Sequence, residues 1–309
     1  MHPLRLTLLV AFAVFLVLLL ARPGRPALAL GYLRALLLCL AAALVLTPFA
    51  WLLTAAFKDP SVLMLHPFLP PLSELGPETV NLNNFRRLFE PEPSPQGPVY
   101  FWEYVANSVF LACASTCVQL VCCSMGGYAL AKFRFRGRGW LLGFMLGTLM
   151  IPPMILLAPL YAMVVRIGLV DTYWALLLPG AAGAFGVFLF RQAILAVPDE
   201  IIEAGRIDGC GEFSIYLRLV MPLVRPMSGA FCLISFMGSW HNFLGPQIYL
   251  HTQAKMTLPV VLTQYVGVYQ QQYGVFLAGT LLAILPPAIL FLALQREFIA
   301  GLTSGAVKG

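Results

Sequence analysis

Charge is what this chain has least of. Only 10% of its 309 residues are Asp, Glu, Lys or Arg, while 60% are hydrophobic; an ordinary soluble domain carries about 25% charged residues. So apolar a chain cannot cover its surface in water, and an all-α integral membrane protein is the class that fits. Lysine is scarcer still. Lys58, Lys132, Lys255 and Lys308 are the full set, and none stands in the Gly-x-x-x-x-Gly-Lys-Ser/Thr context of a phosphate-binding loop. No Cys or His has the spacing of a metal-ligand set, so no metal is expected. Nor do the seven cysteines form a disulfide framework. Cys39, Cys113, Cys117, Cys122, Cys123 and Cys232 fall in apolar runs, where a thiol behaves as a small hydrophobe. Cys210 lies in a loop assigned below to the reducing side. Buried acids are missing too: His241, with Glu103 and Arg166 at the outer margins, are the main ionisable groups of the apolar runs. A carrier driven by protons or sodium buries such groups near mid-membrane, so their scarcity argues against a stand-alone ion-coupled carrier.

What is abundant is apolar sequence in long runs. They cover roughly 34–56, 102–131, 140–165, 172–195, 226–249 and 274–295, each long enough for the ~20 residues of helix that cross a bilayer. Placing 22–34, 132–139, 191–225 and 296–309 on one side collects 13 of the 19 basic residues there. The positive-inside rule makes that side the cytoplasm. The cluster Lys132, Arg134, Arg136 and Arg138 is the strongest contributor. It reads as a topology signal beside anionic lipid, and the net charge of +6 needs no nucleic acid to explain it. A shorter apolar run, 6–21, is followed by Arg22-Pro23-Gly24-Arg25-Pro26. Its basic flank favours an extra transmembrane helix in an N-terminal extension, 1–33, although Ala27-Leu28-Ala29 also imitates a signal-peptide cleavage site.

Two hydrophilic stretches interrupt the apolar pattern. The loop 57–100 holds nine prolines and reads as extended, solvated chain outside the membrane, with a short amphipathic helix near 81–89. The loop 196–225, on the cytoplasmic side, is a helix-forming polar island. Pro198 suits a first helical turn, and Asp199 and Glu200 favour the positive end of the helix dipole. Ile201, Ile202, Ala204 and Ile207 offer an apolar side, with Glu203 and Arg206 as polar neighbours one turn apart. Ala204 and Gly205 are small enough to let another surface approach the backbone. Gly209 can take the left-handed conformation that ends a helix. A second helix near 212–221 then meets Pro222. Two short helices in an L would make a knob suited to a groove on a partner. Taken on its physics alone, the segment could equally be an ordinary interfacial amphipathic helix.

The order of residues in this loop narrows the choice. Glu203-Ala204-Gly205, then Gly209, then Leu219-x-Met221-Pro222 resembles the EAA loop of bacterial ABC importer permeases. Gly168-Leu169-Val170-Asp171-Thr172-Tyr173, Ser239-Trp240-His241-Asn242-Phe243-Leu244 and the end, from Gln295-Arg296 to Gly301-Leu302-Thr303-Ser304-Gly305-Ala306-Val307-Lys308-Gly309, are similar to the maltose-type carbohydrate permease subunits. The resemblance covers roughly 34–309. It departs from the family pattern at Gly205 (usually alanine, a change worth ~1 kcal/mol of helix propensity), at Cys210 and at His241. It implies a six-helix permease core over 34–295 with a cytoplasmic tail, 296–309, in a multi-pass protein of the bacterial inner membrane. It also implies a non-catalytic chain that works with a second permease, an ABC ATPase dimer and an extracytoplasmic solute-binding protein, to move a carbohydrate. ATP and Mg would be bound by the partner ATPase. The coupling residues it implies are Glu203, Ala204, Gly205, Arg206, Asp208, Gly209 and Pro222. Amide and aromatic candidates for a sugar path are Asn107, Gln119, Tyr161, Trp240, Asn242 and Gln247. A polyol or glycerol phosphate in place of the sugar is the alternative within the same class.

Overall fold

The computed structural model describes residues 26–267 and 271–303. The 6–21 run and Ser304–Gly309 therefore lie outside the described residues. Two compact units divide the chain, Met1–Leu82 and Asn83–Gly309. No β-strand occurs among the described residues, only isolated bridges at Lys58–Val80 and Glu92–Val99.

The first unit contains α1 (Pro26–Ala56), a 31-residue helix that is apolar all round, as a helix bathed in lipid or packed among other helices must be. The loop after it is not extended. Asn81 N donates to Phe57 O at 2.8 Å and Asp59 N to Thr79 O at 3.0 Å, closing the 57–82 segment on itself. The Lys58 ammonium is buried and donates to His66 O at 2.6 Å. Proline restricts the backbone here without preventing turns, and the turns satisfy their own polar groups.

The second unit opens with α2 (Asn83–Leu88), near the expected short helix. It does not lie free on the surface, because its Asn84 and Leu88 are buried against a later helix, where Gly274 and Gly279 leave room. The long central helix is α3 (Phe101–Lys132), 32 residues. Glu103 caps it, accepting a hydrogen bond from Tyr100 N at 3.0 Å, so this outer-margin acid has a structural job. Next come α4 (Arg138–Thr148) and α5 (Leu157–Arg166). The run predicted as one span at 140–165 is broken here: the two arms meet at 94°. Pro152 and Pro153 remove two consecutive backbone donors and restrict the residue before each, which produces the corner. Pro159, in the first turn of α5, disturbs nothing.

The run at 172–195 is also not one helix. A single turn, Trp174–Leu177, is followed by irregular chain and then α6 (Ala184–Leu195). The polar loop supplies α7 (Asp199–Ile207) and α8 (Glu212–Ile215), then a π-turn at Tyr216–Val220. After an 84° bend, α9 (Arg225–Trp240) re-enters the membrane and α10 (Leu244–Tyr249) splits off from it. Finally come α11 (Leu258–Gln264), α12 (Tyr273–Ala283) and α13 (Leu285–Thr303). The last two act as one 29-residue span, Tyr273–Gly301, with Pro286 and Pro287 placed at the first turn of α13, where they are tolerated. That helix does not stop at 295, so the first part of the predicted tail is helical.

Candidate functional site

The polar ledge, 198–223, shares one hydrophobic core with the membrane helices. Ile202, Ile215, Tyr216 and Val220 are buried in the same cluster as Phe190 of α6 and Phe231 of α9. Polar bonds then fasten it to the end of α3. Lys132 Nζ donates to Val197 O and to Asp199 Oδ1, both at 2.6 Å. Tyr128 Oη donates to Glu212 Oε2 at 3.1 Å, and Tyr216 Oη and Ser124 Oγ share a buried hydrogen bond of 2.7 Å. Lys132, read in the sequence as a topology signal, is here a buried bolt, its side chain only 6% exposed. Its hydrogen bond and charge hold the Asp199 carboxyl below the ordinary carboxylate range.

The predicted coupling residues do not all face the same way. Glu203, Ala204, Arg206, Asp208, Gly209 and Pro222 are exposed, whereas Gly205 is buried. A Cβ on Gly205 would meet Leu219 Cδ1 at 2.8 Å and Ile215 Cγ1 at 3.3 Å. Its smallness therefore serves the crossing of the ledge's own helices and not the approach of an outside surface. Gly209 adopts φ +79° and makes the turn between α7 and α8, as its position predicts. Arg206 pairs with Glu212 at 2.7 Å, across the turn, and not with Glu203. That bond raises the guanidinium pKa. The apolar side also divides: Ile202 points into the core, while Ile207 stands 86% exposed and Phe213 64%. Phe213 was missed in the sequence, where a lone aromatic in a short helix carries no signal. Ile207, Phe213, Leu217 and Leu223 are the exposed large apolar side chains of the ledge.

A cavity of about 320 Å³ opens between α3, the 176–186 segment and α9. Gln119 and Asn242, predicted as path residues, both line it. So do Ser115, Ser235 and Ser239, which were not predicted. Ser235 Oγ donates to Gln119 Oε1 at 2.9 Å. A second, smaller void of about 30 Å³ continues past Ser115, Ser239 and Asn242 to Ser108 and Thr257. The signal that could have found the serines is their spacing: 108, 115 and 119 on α3, and 235, 239 and 242 at the end of α9, are helix-face intervals.

The other predicted path residues are used elsewhere. Asn107 Nδ2 donates to Ala254 O at 2.8 Å and to Met256 O at 3.0 Å, tying down the loop before α11. Tyr161 stacks on Tyr249 with ring centroids 6.1 Å apart, and buried Trp240 stacks on Phe236 at 5.8 Å. Gln247 is exposed on α10, outside the cavity lining. His241 lies at the C-terminus of α9, its Nδ1 2.9 Å from Met237 O.

Asp171, within the 168–173 stretch similar to the carbohydrate permeases, forms a clamp that its motif alone did not announce. Its carboxylate accepts hydrogen bonds from His251 N and Thr252 N, each at 2.9 Å, from Thr252 Oγ1, and from Lys255 Nζ at 2.9 Å. Asp171 N donates in turn to Tyr249 O at 2.8 Å. Burial alone would raise this carboxyl's pKa, but the hydrogen bonds outweigh it and hold the group well below the usual range.

Broken membrane helices surround an uncharged polar cavity, and a polar ledge is bolted to the helix that lines it. Residues 124–299 match the family described as binding-protein-dependent transport system inner membrane component, and the chain belongs to that family. It is 37% identical over 276 residues to the arabinooligosaccharides transport system permease protein AraQ of Halalkalibacterium halodurans, covering 84% of this chain and 97% of that one. It is 36% identical over 211 residues to the lactose transport system permease protein LacG of Rhizobium radiobacter, covering 68% and 76%. The fold matches, with a TM-score of 0.74 at 21% identity, that of a bacterial ABC transporter involved in the import of the acidic polysaccharide alginate, over 89% of this chain and 98% of that one.

Proposed function

We propose that this chain is one of two membrane-spanning subunits of an ATP-driven importer and forms part of the path for a carbohydrate across the bacterial inner membrane. The ledge at 198–223 docks on the ATPase, and an extracytoplasmic binding protein delivers the sugar. ATP and Mg are bound and ATP is hydrolysed in the ATPase dimer. The observation that carries this reading is the ledge itself. It exposes Glu203, Arg206, Ile207 and Phe213 to a partner while Lys132, Tyr128 and Ser124 fix it to α3. Displacement of the ledge is thereby passed to the helix that carries Gln119.

Relatives named for arabinooligosaccharide and lactose transport support a carbohydrate as the solute. The cavity lining, which carries no cationic side chain, disfavours glycerol phosphate, the alternative within the class. A mild-detergent pull-down of tagged chain from its host, read by mass spectrometry, tests the assembly. Recovery of an ATPase, a second multispan permease and a binding protein is the expected outcome. A chain that purifies alone and transports in liposomes without ATP would refute it.

A further inference from the structure

A groove of about 570 Å³ runs along the junction where α6, α9 and α13 meet the ledge. Leu189 and Ala193 of α6, Ile201 of α7, Leu223 and Met227 of α9 line it, and Gln192 is the one polar side chain in the lining. Gly301 of α13 lines it too. A Cβ there would meet Pro226 O at 2.7 Å and Ala230 Cβ at 3.0 Å, so the glycine lets α13 cross close to the start of α9. Because membrane helices form one wall and the polar ledge the other, the groove lies where hydrocarbon gives way to headgroups. Arg225 stands in the chain between two lining residues, Val224 and Pro226. Its side chain is 77% exposed, against 25% for that of Glu297, so the guanidinium and not the carboxylate faces outward. The bond between them is long, Nη2 to Oε1 at 3.4 Å, and the other guanidinium N–H groups make none of the described hydrogen bonds. Arg225 and Arg296 outnumber Glu297 as the charged residues of α9 and α13.

We infer that this groove holds an acyl chain of an anionic phospholipid, with Arg225 on its phosphate. An apolar slot with a guanidinium at its edge matches the two halves of such a molecule. A lipid tail gains no hydrophobic energy by leaving the bilayer for a protein groove, so the apolar lining alone would select nothing. Packing seats the chain, and the charge at the rim supplies the preference for one headgroup over another. Arginine suits that role because its planar fork can meet two phosphate oxygens at once. A zwitterionic lipid brings the same phosphate but also an ammonium, which the excess of arginine here disfavours. The volume of about 570 Å³ lies well within the range of ligand sites, about 300–1,000 Å³. A partner subunit covering the groove instead is an outcome of the test.

The test uses the full chain with whatever subunits co-purify, reconstituted in phosphatidylcholine nanodiscs. Trace phosphatidylglycerol or phosphatidylcholine, each with a photoreactive diazirine on one acyl chain, is added before illumination, and the crosslinked peptides are mapped by mass spectrometry. The phosphatidylglycerol probe is expected to label 189–201 and 223–227 about fivefold more strongly than the phosphatidylcholine probe, the scale of one arginine against an anionic headgroup. Arg225→Gln should remove most of that preference. Arg136→Gln, at an exposed position outside the groove lining, should leave it unchanged. Ala193→Trp, which fills the groove, should lower labelling by both probes. Equal labelling by the two probes in wild type, or labelling indifferent to Arg225→Gln and to Ala193→Trp, would overturn the assignment. So would an absence of crosslinks to these peptides, which would mean that a partner subunit covers the groove. Loss of labelling on adding excess glycerol 1-phosphate would overturn it as well, by showing a site for the headgroup alone.

Discussion

Gly205 and Asp171 are the two positions where one side chain, or the lack of one, decides local structure. At Gly205 the space a methyl group would occupy is bounded by the ends of flexible Leu219 and Ile215 side chains. Those ends can give, and alanine returns ~1 kcal/mol of helix propensity, so Gly205→Ala is expected to fold, assemble and transport. Gly205→Leu has nowhere to put its branch and should split α7 from the π-turn, seen as loss of ATPase co-purification from chain that still inserts. At Asp171 a carboxylate 27% exposed collects four hydrogen bonds. Asp171→Ala should cost about 1.5–3 kcal/mol, the scale of hydrogen bonds to a charged group, and lower the detergent-solubilised Tm at pH 7. A carboxyl whose folded pKa is depressed contributes stability above the unfolded value of about 3.9 and loses it as pH falls through the folded one. The Tm gap between wild type and variant should therefore be full at pH 5 to 7 and begin to close only below about pH 4. Neither role was legible in the sequence. A glycine in a docking motif reads the same whether its bare face turns out or in, and Asp171 gains its donors from residues about 80 positions away.

Among the elements, α3 connects the two candidate sites: Ser115 and Gln119 line the cavity, and Ser124, Tyr128 and Lys132 hold the ledge further along the same helix. One 32-residue helix without proline runs through both points, and its Gly126-Gly127 pair is packed against Val187 and Phe190 of α6, so ledge and cavity are expected to move together. Lys132→Met keeps the buried stem and removes the ammonium, and Tyr216→Phe removes one partner of the bond to Ser124. The double variant should insert and assemble but spend several times more ATP per sugar imported, measured as the ratio of phosphate released to sugar taken up. An unchanged ratio would show that the ledge transmits its motion by another route. This scale was only half readable beforehand. Long apolar runs announced α1, α3 and the α12–α13 span, because twenty apolar residues in a row have few other uses. The corner at Pro152 divides what reads as one span, since apolar composition runs through it without change. The ledge was the most legible element of all, being polar where everything around it is not.

At the level of the whole molecule, the arrangement depends on which side of the membrane the ledge occupies. The distribution of Lys and Arg puts it in the cytoplasm, and the exposed thiol of Cys210, in the turn between α7 and α8, offers a direct probe. In a chain whose other six cysteines are replaced, a membrane-impermeant maleimide should label Cys210 in inside-out vesicles and not in right-side-out ones. The reverse pattern would put the ledge on the wrong face for an ATPase and refute the coupling assignment outright. With the side established, Glu203→Lys reverses a charge on the exposed face of α7, and Gly209→Pro forbids the φ of +79° that makes the turn. Both variants should reach the membrane at wild-type levels and fail to import sugar. Glu203→Lys would fail by losing electrostatic fit to its partner, and should recover partly in higher salt if screening relieves a repulsion. Gly209→Pro would fail by misshaping the ledge, which no salt concentration repairs. That difference in salt response separates a surface that binds a partner from a fold that merely has to be intact.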